Sequence, residues 1–155
     1  MLNNRAGRGF SLEEDHPNVI EGGKKTMHTL NCYLMRDEDT CIVGGTPGGD
    51  RQPQWNVQMI TNLVDFDMDV QEAVEAPRWV SFPGTDPASI ETPFELWIED
   101  RVGSGVIAEL EQRAHRTSAM GDWGGGSSVQ VILRDGVGNL LGGSDPRAGG
   151  VALGF

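Results

Sequence analysis

The chain has 155 residues, 37% of them hydrophobic and 22 of them glycine, which allows one modest core and favours a turn-rich fold over a helical bundle. Twelve basic residues against 23 acidic ones leave a net charge of −11. Such a surface repels nucleic-acid backbones, no basic patch interleaved with aromatics occurs, and no apolar run reaches the length of a membrane span.

Residues 1–29 are dominated by Asn, Gly, Pro and charge, and they read as an extended loop, disordered or draped over a partner. So long a loop at the start of a compact domain suggests that the chain is part of something larger. Two strands follow, "LNCYLM" (30–35) and "TCIVGG" (40–45), joined by the turn-forming "RDEDT". Cys32 and Cys41 lie in these runs. They are too few for a disulfide framework and are expected as buried free thiols, with a cross-strand contact as the alternative. After the glycine-rich turn, Trp55, Met59, Ile60, Leu63 and Val64 recur at helical spacing between Gln52 and Phe66.

"DVQEAVEAPRW" predicts a short second helix that Pro77 stops. "WVSF" and "FELWIED" predict strands on either side of the connector "PGTDPASIETP", and "GSGVIAELEQRAHR" a helix with Val106, Ile107 and Leu110 inward. "DWGGGSS" is a loop, "VQVIL" (129–133) a strand, and "DGVGNLLGGS" a turn into the last strand. The order of hairpin, helices, strands, helix and hairpin predicts an α+β layered sandwich with mainly antiparallel sheet.

Few residue patterns carry chemistry. "TPGGD" (46–50) lacks the Lys-Ser/Thr of a triphosphate loop and the dinucleotide fingerprint. It fits two readings equally: a nest of backbone N–H groups suited to an oxyanion or carboxylate, or a tight turn that serves only the fold. His16, His28 and His115 are scattered and form no zinc motif, and Asp65, Asp67 and Asp69 lack the glycine and terminal glutamate of a calcium loop, so no metal or cofactor is expected. No G-x-S-x-G elbow occurs. In "GGSDPRAGG", Asp145 and Arg147 flank Pro146 in what reads as a fixed turn, salt-bridged to the core.

Taken together, "LNNR" (2–5), "TPGGDRQPQ" (46–54), "NLVDFDMDVQEAVEAPRW" (62–79) and "GGSDPR" (142–147) resemble the small-subunit end of the gamma-glutamyltranspeptidase family, in that family's order and over nearly the whole chain. The resemblance implies an N-terminal nucleophile hydrolase, a four-layer αββα sandwich of which residues 30–155 would be the C-terminal portion. It also implies a precursor that cleaves itself to expose a threonine. Gly48 and Gly49 match the paired glycines whose N–H groups hold the oxyanion. The catalytic threonine of the family lies upstream of "LNN", so Thr26, Thr29 and Thr46 do not replace it.

Other positions depart from the family pattern. No acid stands between Arg5 and Phe10 to hold a substrate amine, and Arg5, at a polar substrate-contacting position, favours an anionic group. His28-Thr29 stands where the family has the Ser-Ser that grips the substrate's alpha-carboxylate; Thr29 keeps a hydroxyl that can donate, and His28 either takes the first serine's contact or only fills space. Another amide, or hydrolysis in place of transfer, therefore fits as well as gamma-glutamyl transfer. The expected partners are the upstream portion or large subunit of the same precursor and a small-molecule amide. Nucleic acid and membrane are not expected partners. By itself the chain should be inactive, and it should dimerise through uncovered apolar surface as a homo-oligomer, bind its missing half, or have long disordered ends. A cytoplasmic location is expected over a periplasmic or secreted one. The competing function class is a degenerate domain that keeps the fold and has lost the chemistry.

Overall fold

A computed structural model describes residues 5–83 and 91–154; Leu2, Asn3 and Asn4 of the "LNNR" stretch and most of the Pro-rich connector lie outside the described residues. The chain divides into two compact units, Met1–Leu30 and Asn31–Phe155.

The first unit holds one helical turn, α1 (Ala6–Gly9), and is otherwise irregular. Several of its backbone groups pair locally. Ser11 and Val19 form an isolated parallel bridge, Val19 N–H donates to the His16 carbonyl at 2.8 Å, and Lys24 Nζ donates to the Pro17 carbonyl at 2.9 Å.

In the second unit the first hairpin, β1 (Cys32–Arg36) and β2 (Cys41–Gly45), forms where it was expected. The last hairpin, β6 (Gln130–Arg134) and β7 (Leu140–Ser144), adds directly to β2, giving a four-stranded antiparallel sheet of order β1-β2-β6-β7. One face carries Tyr33, Met35, Ile42, Val131 and Leu133, which pack with helices α2 (Gln52–Val64) and α3 (Val70–Glu75). From the helices come Met59, Leu63, Val70, Ala73 and Val74. Fully burying a side chain of this size contributes about 1.5–3 kcal/mol, so this cluster is the main source of stability.

The local causes are simple. Trp55, Met59 and Leu63 recur every fourth residue and are buried, whereas Val64 turns out to solvent. Pro53 sits in the first turn of α2, where its missing N–H costs nothing. Asp69 caps α3 by accepting from Glu72 N–H at 2.8 Å, and Pro77 follows the end of the helix. Gly143 lets α3 rest on β7, because a Cβ there would lie 2.7 Å from the Val70 carbonyl oxygen.

Among the described residues, no helix covers the other sheet face. Its central row pairs Leu34 with Val43 and Val43 with Ile132, and these side chains are 66%, 44% and 55% exposed. A sheet covered on one side and apolar on the other is one layer pair of a larger sandwich.

The second sheet has the order β3-β4-β5, from β3 (Trp79–Phe82), β4 (Glu95–Ile98) and β5 (Thr117–Ala119). β5 was not expected. Its Thr-Ser-Ala carries no apolar alternation, and it pairs parallel to β4. Helix α4 (Ser104–Gln112) buries no residue, contrary to the inward stripe read from the sequence. Val106 and Leu110 instead line an open groove of about 760 Å³ with Trp79, Phe94 and Leu96. Both cysteine thiols are free, as expected, but they are not buried: Cys32 is exposed and Cys41 intermediate, and the two stand at opposite ends of the β1-β2 ladder, so they do not meet. Among the described residues, no helix is long and apolar enough to cross a membrane and no acidic, His or Cys cluster has the makings of a metal site.

Candidate active site

The turn between β2 and α2 is built around Pro47. Thr46 and Ser127 are buried, their hydroxyls hydrogen-bond to each other, and both lie within reach of the Pro47 carbonyl, at 2.8 and 3.2 Å. In a trans peptide the C=O and the next N–H point in opposite directions. Drawing the Pro47 carbonyl inward therefore turns the Gly48 N–H outward. The same logic repeats one residue on: the Gly48 carbonyl accepts from Arg51 N–H at 3.2 Å, so the Gly49 N–H also faces away from the turn.

Gly48 has φ +145° and Gly49 has φ +58°. A side chain at Gly48 is excluded by space as well as by φ, since a Cβ would lie 2.6 Å from Cζ3 of the buried Trp55. Around Gly49 the space is open. Both glycines are exposed, and among the described residues neither N–H donates within the chain. Two adjacent outward donors precede a 13-residue helix, the geometry of a backbone nest. On sequence this nest and a purely structural turn were level.

Of the remaining candidates, Arg5 and Thr29 meet within the first unit, where Arg5 Nη1 donates to Thr29 Oγ1 at 3.0 Å. That leaves the threonine's own proton free to donate. His28 is exposed.

Sequence reading found one half of a buried ionic cluster and missed the other. Arg147 lies against Asp145, with Nη1 3.1 Å from Oδ1. It also binds Glu99 in a fork, with Nε to Oε1 and Nη2 to Oε2 both 2.6 Å. Arg78 Nη1 lies 2.7 Å from Asp145 Oδ2, an ion pair not aligned for a hydrogen bond. Arg101 closes on Glu99 at 2.8 Å while its guanidinium lies 3.5 Å from the Trp123 ring centre. Burial alone would raise the Glu99 and Asp145 carboxyls. Arg147 on Glu99, and the Val129 and Arg147 N–H groups with Arg78 on Asp145, outweigh it and hold both below the usual carboxylate range. Glu99 has no sequence signal beyond lying at the end of a strand.

The cluster reaches the nest. Glu99 Oε1 accepts from Gly125 N–H at 3.1 Å, and two residues along the same loop Ser127 braces Pro47.

A four-stranded antiparallel sheet with helices on one face and an apolar row on the other, beside a second small sheet, is an α+β arrangement that resembles the sandwich of N-terminal nucleophile hydrolases. The chain belongs to the gamma-glutamyltranspeptidase family, whose model matches residues 1–155. It is 36% identical over its whole length to the glutathione hydrolase-like YwrD proenzyme of Bacillus subtilis, covering 29% of that protein. It is 31% identical over 96% of its length to the oxamate amidohydrolase proenzyme of Klebsiella pneumoniae, covering 28% of it. The chain thus spans less than a third of these relatives. Among solved structures, gamma-glutamyltranspeptidase from Pseudomonas nitroreducens superposes with a TM-score of 0.71 at 23% identity, over the full chain and 81% of that chain, a likeness of fold. Cephalosporin acylase from Bacillus halodurans gives 0.65 at 29% identity over 91% of this chain and 25% of that one.

Proposed function

We propose that this chain is the C-terminal part of an amide hydrolase made as a proenzyme, and that a threonine from the upstream portion of the same precursor is its nucleophile. The threonine hydroxyl attacks the amide carbonyl while its free alpha-amine takes the proton. The carbonyl oxygen becomes an oxyanion and is received by the N–H groups of Gly48 and Gly49, after which the amine departs and water releases the acid. The observation that carries this reading is the pair of outward, internally unpaired glycine donors, already fixed by Thr46 and Ser127. The bare row Leu34, Val43 and Ile132 supports a second sheet contributed by the upstream portion, which makes this chain inactive alone.

By the family resemblance, Arg5, His28 and Thr29 stand at positions that contact substrate. An arginine at such a polar position favours a carboxylate over an ammonium, and the Arg5–Thr29 hydrogen bond supports a shared anion-facing role. One relative is named an oxamate amidohydrolase and the other glutathione hydrolase-like, and oxamate and glutathione are both amides that carry carboxylates. The substrate class is accordingly a small amide with a carboxylate on its acyl part.

The test uses the full precursor. Mass spectrometry should find it cleaved into two chains with threonine leading the second. The processed protein should release amine from short carboxylated amides faster than from a gamma-glutamyl anilide. A precursor that stays intact and inert on both would establish the degenerate-domain reading instead.

A further inference from the structure

Arg51 is the third residue after Gly48 and touches the nest twice. Its N–H closes the turn on the Gly48 carbonyl at 3.2 Å. Its guanidinium carbon lies 5.9 Å from the Trp55 ring centre and 5.3 Å from that of Trp97. Among the described residues this half-buried guanidinium has no carboxylate and no side-chain hydrogen bond; aromatic rings are its partners. Trp97 is itself fixed, stacked on Phe82 at 4.3 Å with 10° between the ring planes. Trp55 is 1% exposed and packs directly on the Gly48 backbone. A continuous stack therefore runs from Phe82 and Trp97 in the second sheet, through Arg51, to Trp55 and Gly48.

We propose that Arg51 is a positioning residue: clamped between Trp97 and Trp55, it holds the Trp55 ring against Gly48 and thereby fixes the direction of the two nest N–H groups. The proposal rests on the oxyanion reading above. Gly48 at φ +145° has no side chain to lock it, so the ring beneath supplies the restraint. A cation facing two indoles is worth more than a neutral group of the same length, because the ring faces are negative. Arginine's planar head suits a stacked site better than the lysine ammonium.

The experiment compares Arg51→Gln, Arg51→Lys and Trp97→Leu in the full, processed protein. Losing one ring contact at the nest lowers kcat about tenfold for Arg51→Gln, with KM within about twofold of the parent. Arg51→Lys keeps the cation and recovers part of the loss, while Trp97→Leu reproduces the glutamine pattern from the other side of the guanidinium. A merely structural arginine would lower the melting temperature without separating kcat from KM. With ¹⁵N-glycine labelling, the Gly48 and Gly49 amide resonances should shift in Arg51→Gln while those of Gly121 and Gly138 stay in place. Shifted nest resonances in a protein that cleaves no amide would refute the oxyanion reading and leave the stack in force. An active parent whose kcat and nest resonances are unchanged in both Arg51→Gln and Trp97→Leu would overturn the proposal.

Discussion

Replacing Glu99 by glutamine should be the most damaging conservative change in the second unit. Glu99 is fully buried and accepts five hydrogen bonds: two from Arg147, and one each from Arg101, Gly125 and Arg78. Glutamine keeps one acceptor oxygen. Its NH₂ group would face N–H donors from arginines that have nothing to give it. Removing one partner of a buried ion pair costs about 3–5 kcal/mol, because a buried charge is left uncompensated. Against a typical total of about 5–15 kcal/mol, that is a large share of the stability. For a chain of this length it corresponds to a fall in melting temperature of roughly 10 °C or more.

The pH dependence tests the cause. Folding holds the Glu99 and Asp145 carboxyls below their ordinary range, so their contribution is full above the unfolded values of about 4. It is lost as pH falls through the folded values. Urea titrations of the parent and Glu99→Gln should differ by several kcal/mol at pH 7, and the gap should narrow as pH falls below about 4. A difference under about 1 kcal/mol at pH 7, or one that does not change with pH, would mean that the fork on Arg147 is not what holds this region.

Other changes separate the parts of the site. Gly48→Ala should lower kcat by about 10²–10³ in the processed protein, through both the φ restriction and the collision with Trp55, whereas Gly49→Ala, with open space around it, should cost only about 1–2 kcal/mol for its left-handed backbone. Ser127→Ala removes a buried hydroxyl that braces Thr46 and Pro47, so stability should drop by about 1–2 kcal/mol and kcat should fall while the melt stays cooperative. Val43→Lys places a charge in the exposed apolar row, and size-exclusion chromatography should show failed assembly with the upstream portion while the helix-side core still folds. Burial pushes the Tyr33 phenol up to about 12. Its stability contribution is present below pH 10 and is lost as pH rises, so Tyr33→Phe should flatten the alkaline limb of the stability profile without loss at pH 7, because the buried hydroxyl has no partner.

Elements with strong periodicity could be read from the chain alone. The first hairpin, α2 and α3 follow from alternation, a stripe of every fourth residue and a Pro stop. What could not be read depends on long-range packing. The stripe of α4 looks the same whether or not a layer covers it, and here it faces an open groove. β5 exists because β4 offers it an edge, not because Thr-Ser-Ala prefers a strand. The site shows the same division. The glycine pair stands out in composition, but Ser127, 80 residues from Pro47, and Glu99 reach the turn only through tertiary structure.

These distant residues converge on one strand. Trp97 lies within β4 and touches Arg51, which backs the nest through Trp55. Glu99 follows the end of the same strand and holds the loop whose Ser127 braces Pro47. The nest is thus gripped from beneath and from the side by the second sheet, while β2 delivers it from the first. Donors held this way need not reorganise when charge develops, and that is the property an oxyanion site requires. A turn serving only the fold would have no need to keep two N–H groups unpaired while two buried hydroxyls hold the carbonyl just before them. That asymmetry, with donors open and acceptor locked, is what supports the oxyanion proposal at Gly48 and Gly49.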